Sequence, residues 1–486
     1  MGSTKSKSIT INVILNIIKT LMSVVFPLIT FPYAARILHA SNLGKVGFAQ
    51  SIISYFSLIA MLGMNTYAVR EGAKLRENNK YFNRFFNEVI RINIVTTFIS
   101  YVLLLLAVSF IPDLNEYKYL IILMSTSIFF TTVGVEWINV VYEEYLIITV
   151  RSIVIQIVNL ILLFAFVRTE NDYYTYAFLT VFSNIFICSW NAFYCRKYIR
   201  FQLRGKFDLK KHIKPLLILF ANNLSITIYC NVDSTMLGLM LGDYYVGIYA
   251  VAIKVYGILK SVFAAIYIVC IPRLSSYIGE NNKVAFKELI NNMSAILVLI
   301  LMPAMTGIIV LAKPIVLFLS GAEYIAAVST VRILGVALIF AIIGGFISNC
   351  VIVPRAKETV ALKATLVAAI VNVCLNGVLI PVFKHNGAAI TTAVAELTVA
   401  IVCLVIDKDS RSIFQWNKIC VQGISAVFGC IIVLATSMLA SLINLESILA
   451  CLFVVIVSTM LYLLFLALTK NYYLNLLLSG IFKQKE

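Results

Sequence analysis

Nine ionisable side chains fall inside long apolar stretches of the chain: Lys19, Arg36, Arg91, Glu136, Asp233, Lys254, Lys260, Arg332 and Glu396. A charge at the centre of a bilayer costs about 3 kcal/mol or more, so such residues turn towards a polar cavity, a partner or the membrane surface. Six are cations and three are acids. A cavity with that balance neutralises an anionic ligand such as a phosphate, a diphosphate or an acidic sugar. Arg36, Lys254, Lys19 and Arg332 are the candidates for that contact. Asp233, Glu136 and Glu396 are the candidates for coupling to an ion, or for structural pairing.

Depth and helical phase sort the nine. Lys19 is roughly 15 Å into its helix at about 1.5 Å per residue. It is still within snorkelling reach of the surface, so both positions stay open. Arg91 is nearer its helix end and reads as snorkelling. Lys260 is rotated about 120° from Lys254 on the same helix, which favours Lys254 for the cavity. Asp233 and Lys254 sit in the outer halves of consecutive helices and read as an ion pair, structural or substrate-facing. Glu143 and Arg151 read as a cytoplasmic salt bridge, and Glu136 as facing the cavity. The amides Asn159, Asn184, Asn191, Asn222, Asn223, Asn372 and Asn376 read first as interhelical hydrogen bonds, with sugar hydroxyls as the alternative.

The elements that carry these residues are transmembrane helices. The chain has 486 residues, 61% hydrophobic and 13% charged, with a mean hydropathy of +0.96. Soluble domains are about 25% charged. Apolar runs of about 20 residues, each long enough to cross a bilayer, recur throughout. The fold class is therefore an all-α polytopic membrane protein with about 14 transmembrane helices. The first two are expected at Ile9–Leu38, bent at Pro27 and Pro32, and at Leu43–Ala68, with the turn at Asn42-Leu43-Gly44. The fourth is expected at Tyr119–Val141. The segment Arg196 to Lys214 holds eight Lys or Arg and reads as a linker between two halves. Three parts follow: residues 1–200 as an N-terminal six-helix lobe, 201–406 as a C-terminal six-helix lobe, and 407–486 as a peripheral helix pair with a tail. RLSSYIGENNKVAFKELINN has the spacing of an amphipathic surface helix. The Val46-Gly47 and Val246-Gly247 pairs, 200 positions apart, sit in the first hairpin of each half and suggest a parallel repeat.

The net charge of +17 suggests nucleic-acid binding, but its distribution excludes it. Most Lys and Arg lie in the terminal segments and in alternate loops of one side. That is the positive-inside pattern, and it places both ends in the cytoplasm. The ten cysteines are scattered through apolar helices without a C-x-x-C, and only three His occur. No metal site is expected. No nucleophile–base constellation is visible, so an enzyme is not expected.

Pro27, Pro32, Tyr33, Arg36 and Leu38, followed by Gly44, Phe48 and Ser51, form a P-x-x-x-x-P-Y-x-x-R-x-L and G-x-x-x-F-x-x-S pair. This resembles the N-terminal signature of the Wzx-type oligosaccharide flippases of the MOP superfamily. His39 stands where that signature has Gly. Asn231, Asp233, Leu237 and Gly238, then Val246, Gly247, Tyr249, Ala252 and Lys254, resemble later motifs of the family. So do Glu136-Trp137, Glu143 with Ile148-Thr149-x-Arg151, Gly387-Ala388-Ala389 with Glu396, and the stretch holding Leu319, Gly321, Tyr324, Ile333 and Leu334. Tyr142 stands where a Gly usually precedes the Glu. The resemblance covers roughly residues 25–400. It implies a MATE-like fold and a flippase that moves an undecaprenyl-diphosphate-linked glycan from the cytoplasmic to the periplasmic leaflet of a bacterial inner membrane. The mechanism implied is alternating access, with no cofactor, and H⁺ or Na⁺ coupling is left open. The implied partners are the lipid-linked oligosaccharide, membrane lipids and other polysaccharide-assembly membrane proteins. The alternatives are a multidrug extruder of the same superfamily, which wants a more acidic cavity, and a glycan polymerase or ligase, which wants a long catalytic outer loop.

Overall fold

The computed structural model describes residues 9–202, 209–443 and 447–476. The expected tail and part of the basic linker (203–208) lie outside the described residues, as do the first eight residues. No strand occurs among the described residues, and thirteen helical runs are long and apolar enough to cross a membrane. They form two compact units, one ending at Gly247 and the other starting at Ile248.

The first unit holds α1 (Ile9–Met61), α2 (Met64–Leu75), α3 (Asn79–Phe110), α4 (Pro112–Asn115), α5 (Lys118–Gly134), α6 (Glu136–Val141), α7 (Tyr145–Phe166), α8 (Tyr173–Tyr194) and α9 (Leu209–Leu241). The 53 residues of α1 would measure about 80 Å if straight, far more than the ~30 Å of hydrocarbon. The chain reverses at His39, whose φ of 61° is the one non-helical backbone value inside α1. The contacts prove the reversal. Leu15 O accepts from Thr149 Oγ1 at 3.1 Å, and Arg76 donates to Glu143 Oε1 at 2.7 Å, so residues 15 and 76 share one end. Tyr33 OH donates to Val167 O at 2.8 Å and Asn42 Nδ2 to Glu170 O at 2.8 Å, so residues 33 and 42 share the other.

This corrects the expected turn. Pro27 and Pro32 lie inside continuous helix, and the break falls three residues before Asn42. His39 adopts a left-handed φ that costs a glycine little and other residues more. The second pass ends earlier than expected, at Met61. Gly63, at φ 75°, starts the separate helix α2. The expected fourth helix is also divided, because Val135 at φ 39° opens a new turn at Glu136.

The helices of this unit are fastened by buried polar groups as well as apolar ones. Asn93 Nδ2 and Thr96 Oγ1 both donate to Ala60 O, at 2.7 and 2.6 Å. Ser100 donates to Phe56 O at 2.6 Å, and Thr97 and Thr132 share a hydrogen bond of 2.7 Å. An unpaired polar group in hydrocarbon would cost several kcal/mol, so these pairings fix helix register. At the end that holds Arg76, Phe82, Phe85, Phe86 and Trp137 pack into an aromatic core.

Gly44 and Gly247 bring two hairpins into backbone contact. A Cβ on Gly44 would fall on the carbonyl oxygen of Asp243, and one on Gly247 on the carbonyl oxygen of Ala40. Each glycine thus meets the carbonyl four residues before the other glycine. The structural equivalence is Gly44 with Gly247, three positions off the Val-Gly alignment expected from sequence.

The second unit continues α10 (Asp243–Ile268) into α11 (Ile271–Gly279), α12 (Lys283–Val310), α13 (Ala312–Ser320) and α14 (Ala327–Phe346). A π-helical turn, Ile347–Ile352, follows. Then come α15 (Glu358–Phe383), α16 (His385–Ile406), α17 (Lys408–Arg411), α18 (Trp416–Leu442) and α19 (Ser447–Leu468). The expected amphipathic stretch is split between α11 and the first turns of α12, because Asn281 takes φ 58° between them. α18 packs on α12, where the ring of Pro303 fills the space a side chain on Gly429 would need. On α19, Leu449, Leu452, Val455, Ile456 and Leu464 are each half exposed or more. An exposed apolar face of this size fits lipid contact.

Candidate functional site

The break at Val135 places Glu136 in the first turn of α6, facing α1 and α7. Glu136 Oε1 lies 3.5 Å from Lys19 Nζ and 3.7 Å from Arg151 Nη2. The Arg151 side chain is only 3% exposed. Its Nη1 donates to Asn191 Oδ1, which also accepts from Asn139 Nδ2 at 2.6 Å. Two cations against one carboxylate leave a net positive charge, with Arg151 buried and Lys19 and Glu136 partly exposed. Among the described residues, Arg151 Nε and Asn191 Nδ2 have no hydrogen-bond partner. A group so placed attracts an anion or water, because an unsatisfied buried donor is costly. Arg151 therefore joins Lys19 and Glu136 in one cluster. Sequence reasoning had set it aside in a salt bridge with Glu143. The geometry separates them: Glu143 pairs with Arg76 at 2.7 Å. Glu143 and Arg151 are eight positions apart, more than two helical turns and too far for a direct bridge. The signal available in sequence was the Ile148-Thr149-x-Arg151 motif itself.

In the second unit, Glu396 on α16 is buried and engaged by α10. It forms an ion pair with Lys260 and accepts from Tyr256 OH at 2.6 Å. Lys260 Nζ also sits 5.5 Å from the centre of the Tyr256 ring. Tyr249 OH and Thr392 Oγ1, one turn or more towards the other end, are 3.2 Å apart. Lys260, passed over on grounds of helical phase, is thus the cation that serves Glu396.

Arg36 is exposed on the final turn before His39. Asp233 is buried on α9, and Lys254 is half-buried on α10. Arg332 is exposed on α14 and donates to Ile309 O at 3.3 Å. Arg91 donates to Gln202 O at 2.7 Å, holding the start of the linker.

A cavity of about 960 Å³ opens beside that linker. Lys80, Arg84, Arg91, Arg196, Lys197 and Arg200 line it, with Glu88 as the one acid among the described lining residues. Asn83 and Asn87 tie residues 200–202 to α3. The opposite end of the unit mixes signs, with Asp113, Glu116, Glu170 and Asp172 beside Lys45, Lys118 and Arg168, and with Asp243, which accepts from Tyr117 OH at 2.7 Å. Burial and the neighbouring Asp243 carboxylate hold the Tyr117 phenol well above its ordinary pKa.

The amides divide as well. Asn376 donates to Asn372 and accepts from Thr391, at 3.2 and 2.5 Å, which is helix packing. Asn184 and Asn223 line a second cavity, within the first unit.

The chain is similar in sequence to a protein of Escherichia coli (strain K12) named as an O-antigen transporter. The two are 24% identical over 392 residues, covering 79% of this chain and 93% of the relative. In structure it is similar to the lipid II flippase MurJ in its inward closed conformation, with a TM-score of 0.71 at 16% identity, covering 94% of this chain and 99% of that one. It is also similar to an inward-facing multidrug resistance MATE family transporter of the MOP superfamily, with a TM-score of 0.64 at 14% identity, covering 83% and 98%. At these identities the structural likenesses establish the fold, the MATE-like helical arrangement expected from sequence. The profile of the polysaccharide biosynthesis protein family matches residues 9–278, more than half of the chain, and the chain belongs to that family.

Proposed function

We propose that this protein is a flippase for a lipid-linked oligosaccharide, an undecaprenyl-diphosphate-linked glycan unit moved from the cytoplasmic to the periplasmic leaflet by alternating access. One observation carries the reading: in a chain of this family, the first unit gathers a net-cationic cluster, Lys19, Arg151 and Glu136, from α1, α7 and α6, with the Arg151 guanidinium buried and Lys19 and Glu136 partly open. The near full-length likeness to a protein named as an O-antigen transporter supports it. A diphosphate needs cations that survive desolvation, and Arg offers several donors in fixed geometry. Arg36 and Lys19 in the first unit, and Lys254 and Arg332 in the second, are proposed contacts for the diphosphate or acidic sugars. Asp233, Glu136 and Glu396 are the proposed ion-coupling or structural acids, with H⁺ or Na⁺ as the ion and no other cofactor.

The basic end of the first unit supports a cytoplasmic location for that end and for the N-terminus. The first run crosses twice by reversing at His39, so the thirteen runs make fourteen passes and the C-terminus follows it. The membrane is then the bacterial inner membrane. The division into lobes 1–200 and 201–406 with a peripheral pair 407–486 is part of the same proposal. So is contact with other polysaccharide-assembly membrane proteins. The protein works as a transporter and forms no new glycosidic bond.

The test is a choice between cargoes. Purified protein in liposomes is offered a lipid-diphosphate glycan and, separately, a fluorescent organic cation under an ion gradient. Movement of the glycan alone is the expected result. Movement of the cation alone turns the reading to a drug extruder.

A further inference from the structure

The second cavity differs in chemistry from everything above. It has a volume of about 470 Å³ and is built by α1, α5, α8 and α9 of the first unit. Of its fifteen described lining residues, ten carry a neutral hydroxyl or amide and none carries a charge. The α8 and α9 residues sit in middle turns, and Ser127 and Thr131 lie in the last two turns of α5, where the chain runs on towards α6. Gln50 and Ser57 come from the second arm of α1, Thr131 from α5, Asn184 from α8, and Asn223 and Thr227 from α9. The cavity therefore lies at mid-membrane depth, where water is scarce and a polar lining is expensive.

The lining is partly satisfied and partly open. Thr131 Oγ1 donates back to Ser127 O at 2.7 Å, which leaves its lone pairs towards the cavity. Asn184 Oδ1 accepts from Cys188 Sγ at 3.5 Å and lies 3.4 Å from Thr131 Oγ1, whose single hydrogen serves Ser127 O, so no bond shown for the Asn184 side chain uses its NH₂ group. Among the described residues, no hydrogen bond engages the side chains of Gln50, Ser57, Asn223 or Thr227. Packing alone would not leave four neutral polar groups open around one space. A ligand that both donates and accepts at many positions, without net charge, matches them: a hydroxyl-rich sugar. An ionised sugar does not match, since no cation stands in the lining to offset its desolvation.

We propose that this cavity is the subsite that reads the uncharged sugars of the glycan, separate from the cations that would hold its diphosphate. The inference rests on the proposed flippase activity for its biological meaning, but its test does not. Purified full-length protein in detergent is titrated with a panel of neutral oligosaccharides, N-acetylglucosamine and hexose oligomers of two to six units. It is also titrated with oligogalacturonates of the same lengths, and binding is read by equilibrium dialysis. At least one neutral oligomer should bind at least tenfold more tightly than the acidic one of equal length. Asn223→Leu with Thr131→Val should weaken that binding at least tenfold without lowering the melting temperature. Gln50→Leu, at an exposed position, serves if the double variant fails to fold.

Equal binding of neutral and acidic oligomers, no binding of any, or undiminished binding by the variants overturns the proposal. A wild-type protein that binds neutral oligomers and moves no lipid-linked glycan overturns the flippase reading and leaves the subsite standing. A protein that flips the glycan equally well with or without Asn223 and Thr131 does the reverse.

Discussion

Lys260 and Glu396 form an ion pair between α10 and α16, with the phenol of Tyr256 on the same carboxylate. Removing one partner of such a pair strands the other charge in a poor dielectric. Lys260 is 37% exposed, which moderates the cost. Glu396→Ala should therefore destabilise the protein by roughly 1–3 kcal/mol, read as a lowered melting temperature in detergent. The double replacement Lys260→Met with Glu396→Met should recover at least half of the loss. If Glu396 also couples transport to an ion, the double variant will be stable and inactive.

Arg151 does two things that Lys cannot do together. One guanidinium nitrogen bonds Asn191 while the other faces Glu136. Arg151→Lys keeps the charge but loses the fork. Transport by this variant should fall at least tenfold, with no more than a small change in melting temperature. Wild-type transport by Arg151→Lys would reduce the cluster to a point charge.

The backbone contact at Gly44 and Gly247 allows no side chain. Gly247→Ala places a methyl on the Ala40 carbonyl, and overpacking of this kind costs about 1–3 kcal/mol. Either alanine variant should show reduced yield and a lower melting temperature. Gly257→Ala, with open space around its Cβ position, is the control and should behave as wild type.

Beyond the membrane-spanning helices, Asp407 binds Lys357 at 2.7 Å, Ser410 at 2.5 Å and Arg355. Burial alone would raise the Asp407 carboxyl. The hydrogen bonds from Lys357 and Ser410 and the Arg355 charge outweigh it and leave the pKa below the ordinary value. A lowered folded pKa gives stability that is present above the ordinary carboxylate value, about 4, and lost as pH falls through the folded one. Lys357 is shifted the other way, upward, by its bond to Asp407, so its contribution holds below its ordinary value of about 10.4 and fades only as pH rises through the folded value. Melting temperature should thus drop as pH falls from about 5 towards 3, and Asp407→Asn should flatten that drop while lowering stability at neutral pH.

Much of this was legible from composition and periodicity. The membrane class, the helix count and the membership of the nine charges needed only length, hydropathy and helical rise. Glu396 and Lys19 were found because an ionisable residue in hydrocarbon is rare. What escaped was local backbone geometry. A left-handed residue such as His39 or Val135 has no compositional mark, so the reversal was placed at Asn42 and the fourth helix was drawn unbroken. Pairing across helices escaped as well. Glu143 turned to Arg76 and Lys260 to Glu396 because tertiary distance, rather than phase on one helix, selects partners. The neutral cavity was hidden because single Ser, Thr and Asn residues in apolar runs look alike until four helices bring them together.

The most direct measurement of the central claim is leaflet exposure of a lipid-diphosphate glycan in proteoliposomes, followed with an impermeant glycosidase. The wild-type protein should render nearly all of the glycan cleavable, whereas Arg36→Ala and Lys254→Ala, inserted equally well, should leave the inner-leaflet half protected, as in liposomes without protein. Full cleavage with both variants would remove these two cations from the site, and a protected half with the wild type across several glycans would contradict the flippase account.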